Sequence, residues 1–246
     1  MGLTATPEDQ AKLLDLATLD LDLARAHQSL STLDTTLHIP TLHAAVDEIR
    51  GRKHDAMVEV ETIQAELARS ESDVELVEAR IQKDTERLIH TASAKDAQGL
   101  EHELESLRKR QSDLEDIELA IMERLENAQN TLSDIEKELS TADDALSAAH
   151  DQRQTKSQEL RSEIETLGAQ RGALASELPA DLFQLYERQR ERYGVGASHL
   201  RAGVSSASGV RLTESDLDAI RRAHPDEVLL CPDSSAILVR TPESGV

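Results

Sequence analysis

The chain has 246 residues, 30% of them charged, and its aromatic residues are two Tyr and one Phe, with no Trp. A layered globular domain needs bulky side chains to fill its interior, so this composition argues against one and is typical of long helices. The formal net charge is −21, which disfavours nucleic acid and anionic membranes as partners and favours basic proteins. The acidity also has a simpler explanation, because acidic surfaces keep long helices soluble.

The charge is unevenly distributed along the chain. Residues 1–185 carry 39 acidic and 19 basic side chains, whereas residues 186–246 carry nine acidic and eight basic ones. The single cysteine, Cys231, excludes an internal disulfide framework. The sequence has neither an apolar run of membrane-spanning length nor a secretory leader at its start. We therefore expect a cytoplasmic protein that does not bind membranes.

The first helix is predicted over about residues 7–37. Thr6 is placed as its N-cap and Pro7 in its first turn, followed by acidic residues that favour the positive end of the helix dipole. The segment His38-Ile39-Pro40 interrupts it, since the residue before a proline is biased away from helix. Pro40 is well placed to begin the next helix.

Residues 41–175 show apolar side chains in alternating steps of three and four, interrupted by the polar segment 91–99. Such sustained heptads are typical of a coiled coil. We predict helices over about 41–89 and 98–175, joined by a hairpin tip at about 91–99. The last helix is long enough to pair with 41–89 and then with 7–37. Ile117, Ile121 and Leu125 insert an extra step of four, which predicts a stutter that locally unwinds the supercoil.

Residues 179–194 are predicted to form a short junction helix, after the coiled-coil hairpin of residues 1–178. All three aromatic residues, Phe183, Tyr186 and Tyr193, lie in this helix. Large aromatic area at a junction favours packing between the coil and the C-terminal module. The alternative is a binding hot spot in which Arg188, Arg190 and Arg192 supply the charge.

Residues 195–246 are predicted to form a small β-rich module. Short strands are indicated at 198–204 and 210–212, a helix at 213–223 that begins with a capping pattern, and paired strands at 228–231 and 236–239. The predicted fold class is therefore mainly α: a long antiparallel coiled-coil helical hairpin followed by a small sheet-containing module. So small a module usually needs a metal or a disulfide to be stable.

The whole chain resembles the bacterial family of coiled-coil hairpins that end in a C4-type zinc ribbon. The family pattern has a Tyr-x-Arg-x-Arg segment, a glycine-containing linker, and two C-x-x-C turns separated by a short helix, with Gly-Arg-Ile-Leu after the second turn. The corresponding segments here are Tyr186 to Arg190, Gly194 to Gly196, Ser205 to Ser208, and Cys231 to Leu238.

The resemblance implies four zinc-ligand positions, which are Ser205, Ser208, Cys231 and Ser234 in this chain. Only one of them is cysteine, and a serine hydroxyl is not a normal zinc ligand. We therefore expect a degenerate ribbon that keeps its shape without zinc or another cofactor.

Other residues could be proposed as replacement ligands, namely His199, His224 and Asp233. It would be unusual for three substitute ligands to occur together at positions that match the zinc site. Without a metal, the module must gain its stability by docking on the aromatic residues of the junction helix and from its own apolar residues, which are Leu200, Val204, Val210, Leu212, Leu217, Ile220, Leu229, Ile237 and Val239.

Three classes of function remain to be weighed. The resemblance implies an interaction protein, because better-studied members are described as adaptors or chaperones that contact an alternative sigma factor and parts of flagellar or type III secretion machinery. The alternative is RNA or DNA binding through the junction helix and the ribbon. An enzyme is not expected, since the sequence has no metal-binding His spacing, no phosphate loop and no basic activator near Cys231. The chain could be a monomer or a homodimer.

The residues that we name as a candidate interaction surface are Phe183, Tyr186, Arg188, Arg190, Arg192, Tyr193, Arg201, Arg211, Arg221, Arg222 and Arg240. The arginines are the phosphate-binding candidates of the nucleic-acid alternative.

Overall fold

The computed structural model describes residues 2–245. It confirms the predicted fold class, with long helices followed by a four-stranded sheet. Contacts divide the chain into two compact units. We call residues 38–151 the hairpin unit, and residues 2–37 with 152–245 the sheet unit.

The hairpin unit is built from α3 (Ile39–His90) and the first part of α4 (Ala94–Glu177). The break before α3 occurs where the sequence predicts it, because His38 adopts a left-handed conformation with φ of 55°. Only residues 91–93 separate α3 from α4, fewer than the polar composition of 91–99 suggests. The hydroxyl of Ser93 accepts a hydrogen bond from the backbone N–H of Asp96, so α4 begins with a serine cap.

A heptad seam joins α3 and α4. Its two largest buried clusters contain Val60 and Ile63 packed with Ile121 and Ala128, and Ile49 and Ala56 packed with Ile135. Exposed ion pairs between the two helices flank the seam. The guanidinium of Arg52 forms two hydrogen bonds with the carboxylate of Glu138, at 3.0 and 2.9 Å. Each exposed pair contributes little stability, so the apolar seam is the main stabilising feature of this unit.

The stutter predicted in α4 is wrong, because Ile117 does not lie in the seam. The side chain of Ile117 is 52% exposed, while Leu114 and Ile121 are buried and Glu118 is half-buried. The steps from Leu114 to Glu118 to Ile121 continue the heptad without an inserted residue. The seam therefore contains Glu118, although the apolar residue Ile117 is adjacent to it in the sequence.

The sheet unit begins with α1 (Pro7–Ser31) and the short helix α2 (Leu33–Thr36). As predicted, the hydroxyl of Thr6 caps α1 by accepting a hydrogen bond from the N–H of Asp9 at 3.1 Å. Residues 152–177 of α4 pair with these helices. Lys12 lies 3.1 Å from Glu177, and Arg153 pairs with Asp34.

The C-terminal sheet follows α5 (Ala180–Tyr193), which ends at Gly194 with φ of 82°. The strands are β1 (Ala197–Arg201), β2 (Val204–Ser205), β3 (Leu229–Leu230) and β4 (Ile237–Val239). Their order is β2-β1-β4-β3, with β1 and β4 parallel and the two outer pairs antiparallel. The helix α6 (Glu214–Arg222) is capped by Thr213, as its sequence predicts.

One apolar core connects the sheet to the helices of its unit. It contains residues from α1, α5, β1 and β4, together with Ala5 before α1 and Leu178 after α4, and Leu174 at the end of α4 packs against it. Its other buried members are Leu13, Leu16, Leu182, Tyr186, Ala197, Ile237 and Val239. A second cluster, between the sheet and α6, contains Leu200, Leu212, Leu217, Ile220, Cys231 and Leu238. The sheet is therefore covered by helices on both of its apolar faces.

Asp84 is a buried acidic residue in the hairpin unit. Its side chain is fully buried, and its carboxylate accepts hydrogen bonds from Arg80 at 2.6 Å and from Arg87 at 2.9 Å. Burial would raise the pKa of Asp84, but the two guanidinium groups outweigh it and hold the pKa below its usual value. Asp84 therefore stabilises the folded state only while it is ionised.

We predict that Asp84→Asn lowers the stability of the protein at pH 7 and has a smaller effect in acid. The depressed pKa means that the stabilisation is present above about pH 4, the unfolded pKa, and is lost as the pH falls through the folded pKa. Thermal unfolding of both proteins, followed by circular dichroism from pH 7 to pH 3, measures the difference. A difference that grows in acid would contradict this role of Asp84.

Candidate functional site

The turn after β2 brings two of the four predicted ligand positions, Ser205 and Ser208, into a closed loop. The backbone N–H of Ser205 donates to the carbonyl of Val210 at 3.1 Å, and the N–H of Gly209 donates to the carbonyl of Ser205 at 2.8 Å. The N–H of Val210 also donates to the hydroxyl of Ser208 at 3.2 Å. Gly209 has φ of 67°, a left-handed conformation that glycine adopts readily.

The turn between β3 and β4 repeats the same pattern at the other two positions, Cys231 and Ser234. The N–H of Cys231 donates to the carbonyl of Ala236 at 2.8 Å, and the N–H of Ser235 donates to the carbonyl of Cys231 at 2.9 Å. The N–H of Ala236 donates to the hydroxyl of Ser234 at 3.4 Å. Ser235 has φ of 58°, in the place that Gly209 occupies in the first turn.

The two turns meet at their first residues. The thiol of Cys231 donates to the hydroxyl of Ser205 at 3.4 Å, and both side chains are buried. Burial would raise the pKa of the Cys231 thiol, but hydrogen bonds with Ser205 and Ser234 outweigh it and lower the pKa. The structure thus brings Ser205, Cys231 and Ser234 together, as their ordering in the sequence suggests.

The donor set at these positions does not fit a structural zinc ion. Zinc needs four Cys, His or carboxylate ligands. This set offers one thiol and three hydroxyls, and the hydroxyls bond to Ser198, to Cys231 or to backbone N–H groups. Within residues 2–245, no group of three or more His, Cys, Asp or Glu side chains could hold a metal.

The replacement ligands considered from the sequence have other contacts. The Nε2 atom of His199 lies 2.8 Å from the hydroxyl of Thr241. His224 accepts a hydrogen bond from the backbone N–H of Asp226 at 3.2 Å. Asp233 is exposed on the second turn.

Arg240 has a structural role that is not evident from the amino-acid sequence. Its guanidinium donates to the backbone carbonyls of Ala223, His224, Pro225 and Glu227, at 2.8 to 3.2 Å. Burial lowers its pKa, although Glu227 and Asp226 oppose this effect. Its side chain thus orders the loop after α6 and is not a free phosphate-binding group.

Tyr186 is a core residue, which corrects its inclusion in the candidate interaction surface. Its ring is fully buried, and its hydroxyl donates to the carboxylate of Asp20 at 2.7 Å. Burial first, and the hydrogen bond to Asp20 second, raise the pKa of Tyr186. Phe183 is half-buried against the same core. Packing, the first interpretation of these two aromatic residues, is therefore what the structure shows.

Asp20 is also part of an ion-pair network between α1, α4 and α5. Arg171 donates to Asp20 at 2.6 Å and pairs with Glu187, and these hydrogen bonds raise its pKa. Arg190 donates to Glu187 at 2.9 Å. Two carboxylates and two guanidinium groups balance each other, so Arg190 brings no excess positive charge to the surface.

The remaining candidate residues lie on the surface but are not brought into one cluster. Arg201, Arg211 and Arg221 pair with the neighbouring acids Glu243, Glu214 and Asp218. Tyr193 is 46% exposed, and the guanidinium of Arg192 lies 5.3 Å from its ring centre. Arg188 and Arg222 are exposed.

A different surface, on the hairpin unit, was not found from the sequence. Leu119 is 64% exposed and Met122 is 49% exposed, one helical turn apart on α4. Apart from Leu125, which packs in the seam, their other neighbours at steps of three or four along the helix are acidic: Glu115, Asp116, Glu118, Glu123 and Glu126. We call Leu119, Met122 and these five acidic residues the acidic-apolar patch. In residues 2–245, none of the five carboxylates of the patch pairs with Lys or Arg. The sequence feature that could have revealed this patch is the apolar pair Leu119 and Met122, which lies outside the heptad positions.

These features define a helical-hairpin protein with a small, helix-covered C-terminal sheet. Residues 16–194 match the CT398-like coiled coil hairpin domain, and the chain belongs to this family. A Mycobacterium tuberculosis protein, described as uncharacterized, is 31% identical over 94% of this chain and 95% of its own length.

Two solved structures are similar over nearly the whole chain. A Mycobacterium smegmatis protein has 29% sequence identity and a TM-score of 0.83, covering 97% of this chain and 100% of its own. CT398 from Chlamydia trachomatis has 19% identity and a TM-score of 0.64, covering 94% of this chain and 97% of its own. The second similarity concerns the fold alone. In residues 2–245, no helix is long and apolar enough to cross a membrane.

We predict that Gly196→Ala destabilises the sheet unit by about 1–3 kcal/mol, the usual cost of overpacking. A Cβ at this position would lie 2.6 Å from Cδ2 and 2.7 Å from Cζ of Tyr186, so the ring or the backbone would have to move. Urea unfolding followed by tyrosine fluorescence measures the change.

Gly168→Ala is the matched control, since no atom lies within 4 Å of its added Cβ. This helical position should become more stable by about 0.5–1 kcal/mol. Equal effects of the two substitutions would show that Tyr186 does not pack closely on Gly196.

Proposed function

We propose that this chain is a non-enzymatic interaction protein, an adaptor or regulator, that binds a basic protein segment through the acidic-apolar patch. The observation that carries the proposal is the exposure of Leu119 and Met122 within a ring of carboxylates. Apolar anchors surrounded by charge are a common arrangement of protein-binding surfaces. The heptad seam does not use these two side chains, so a partner can bury them without opening the hairpin.

The charge of the hairpin unit supports a basic partner. Residues 38–151 contain 28 acidic and 13 basic side chains, a net charge of −15. A partner segment with Lys or Arg on both sides of an apolar residue would complement the patch. Such complementarity accelerates association and excludes acidic competitors.

The C-terminal module offers a second contact in this proposal. Tyr193 and Arg192 form an exposed aromatic-cation pair, and Arg188 and Arg222 add positive charge. We propose that a metal-free ribbon presents these residues to a protein. We place the protein in the cytoplasm, as a monomer or homodimer that does not bind membranes.

Nucleic-acid binding receives less support from the geometry. Among its eight candidate arginines, Arg190, Arg201, Arg211 and Arg221 pair with carboxylates, and Arg240 donates to carbonyls. Phosphate binding depends on clustered, available positive charge. The three remaining arginines are Arg188, Arg192 and Arg222.

We predict that a photo-crosslinking amino acid at Leu119 captures a basic protein segment in the native cell, whereas the same group at Leu76 does not. Leu76 is a matched control because it is 67% exposed on α3 and has Arg80 one turn away. Mass spectrometry identifies the crosslinked peptides. The yield should fall about tenfold when Glu115→Lys and Glu123→Lys are added, since opposite charge attracts the partner.

Three results would contradict the proposal. They are equal yields at Leu119 and Leu76, crosslinked peptides that are acidic, and a yield that the two charge reversals leave unchanged. Loss of the crosslink after nuclease treatment would instead favour the nucleic-acid alternative.

A further inference from the structure

The first residues of the two turns of the C-terminal module, Ser205 and Cys231, meet through buried polar side chains. Ser205 and Ser198 are fully buried, and Cys231 is 2% exposed. The hydroxyl oxygens of Ser198 and Ser205 lie 2.7 Å apart, and the Cys231 thiol donates to Ser205. A continuous hydrogen-bonded chain therefore runs from β1 through β2 to the second turn.

Ser198 extends this chain into the first turn. Its hydroxyl accepts a hydrogen bond from the backbone N–H of Ala207 at 3.1 Å and lies 3.4 Å from the hydroxyl of Ser206. The Ser206 hydroxyl in turn accepts a hydrogen bond from the N–H of His199 at 2.9 Å. The first turn is thus tied to β1 through side chains as well as through the sheet.

Buried hydroxyls are costly when they have no partner and stabilising when they do. An unpaired hydroxyl loses its hydrogen bonds to water on burial. Of these hydrogen bonds, the one from Cys231 to Ser205 joins the two turns, whereas Ser198 holds Ser205 and the first turn in place from β1. Separating the turns would break the Cys231–Ser205 bond and expose this buried pair, so the contact favours the closed arrangement.

A metal ion in this position would act differently. It needs deprotonated thiol, imidazole or carboxylate ligands, and its binding energy becomes folding energy for a small module. The hydroxyls of Ser205, Ser208 and Ser234 do not meet that need. The two turns nevertheless share the same pattern of backbone hydrogen bonds, with serine at three of the four positions.

We propose that the buried contact of Cys231 with Ser205, which Ser198 holds in place, fastens the two turns to each other in the place of a metal ion. This inference goes beyond the proposed function and does not depend on the identity of any partner. It assigns a stabilising role to Ser198, which lies outside the four ligand positions that the sequence suggests.

Cys231 provides a direct probe of this contact because it is the single thiol of the chain and is buried. Its rate of reaction with Ellman's reagent reports how often the two turns separate in the full-length protein. Ser205→Ala and Ser198→Ala should each raise this rate by at least about fivefold, since each removes buried hydrogen bonds. Ser215→Ala, at an exposed serine of α6, should leave the rate unchanged.

A chelator distinguishes the network from a metal. Addition of 1,10-phenanthroline to the wild-type protein, purified without added metal, should leave the reaction rate of Cys231 unchanged. A rate that rises with the chelator, or stoichiometric zinc in the protein by elemental analysis, would overturn the proposal. So would Ser205→Ala and Ser198→Ala rates equal to that of Ser215→Ala. If Ser205→Ala does not fold, the comparison of Ser198→Ala with Ser215→Ala decides.

Discussion

The close packing of the Tyr186 ring on the backbone of Gly196 is the constraint on which the sheet unit depends. The ring is fully buried in a core that α1, α4, α5, β1 and β4 share, and its hydroxyl is bonded to Asp20. Only a residue without Cβ permits this approach. Because the sheet has so few apolar residues of its own, sharing one core with long helices is what makes a module of this size stable.

Three polar contacts in the described residues are satisfied in different ways. Asp84 accepts from two arginines of its own helix, Arg240 donates to loop carbonyls, and Ser205 bonds to Ser198 and to Cys231. Each arrangement specifies one local geometry. Stability thus comes from apolar packing in both units, while these contacts define how loops and turns are placed.

Much of the fold could be predicted because it follows from local rules. The heptads indicate the hairpin, His38 and Pro40 mark the break, and Thr6 and Thr213 mark helix starts. The heptad pattern did not identify Glu118 as a seam residue, because the apolar Ile117 next to it fits an apolar repeat better. The contact between Asp20 and Tyr186 spans 166 positions of sequence, and only folding brings such residues together. The same holds for Ser198, whose small side chain gives no signal until its neighbours are known.

The central claim is that the sheet and the helices around Tyr186 form one cooperative structure through their shared core, without a metal. Amide hydrogen exchange of the full-length protein tests it most directly, by comparing the amides of β4 with those of α5. We expect similar protection in Ile237 to Val239 and in the buried half of α5, and we expect a chelator to leave it unchanged. Exchange of β4 that is orders of magnitude faster than that of α5, or that accelerates when a chelator is added, would contradict it.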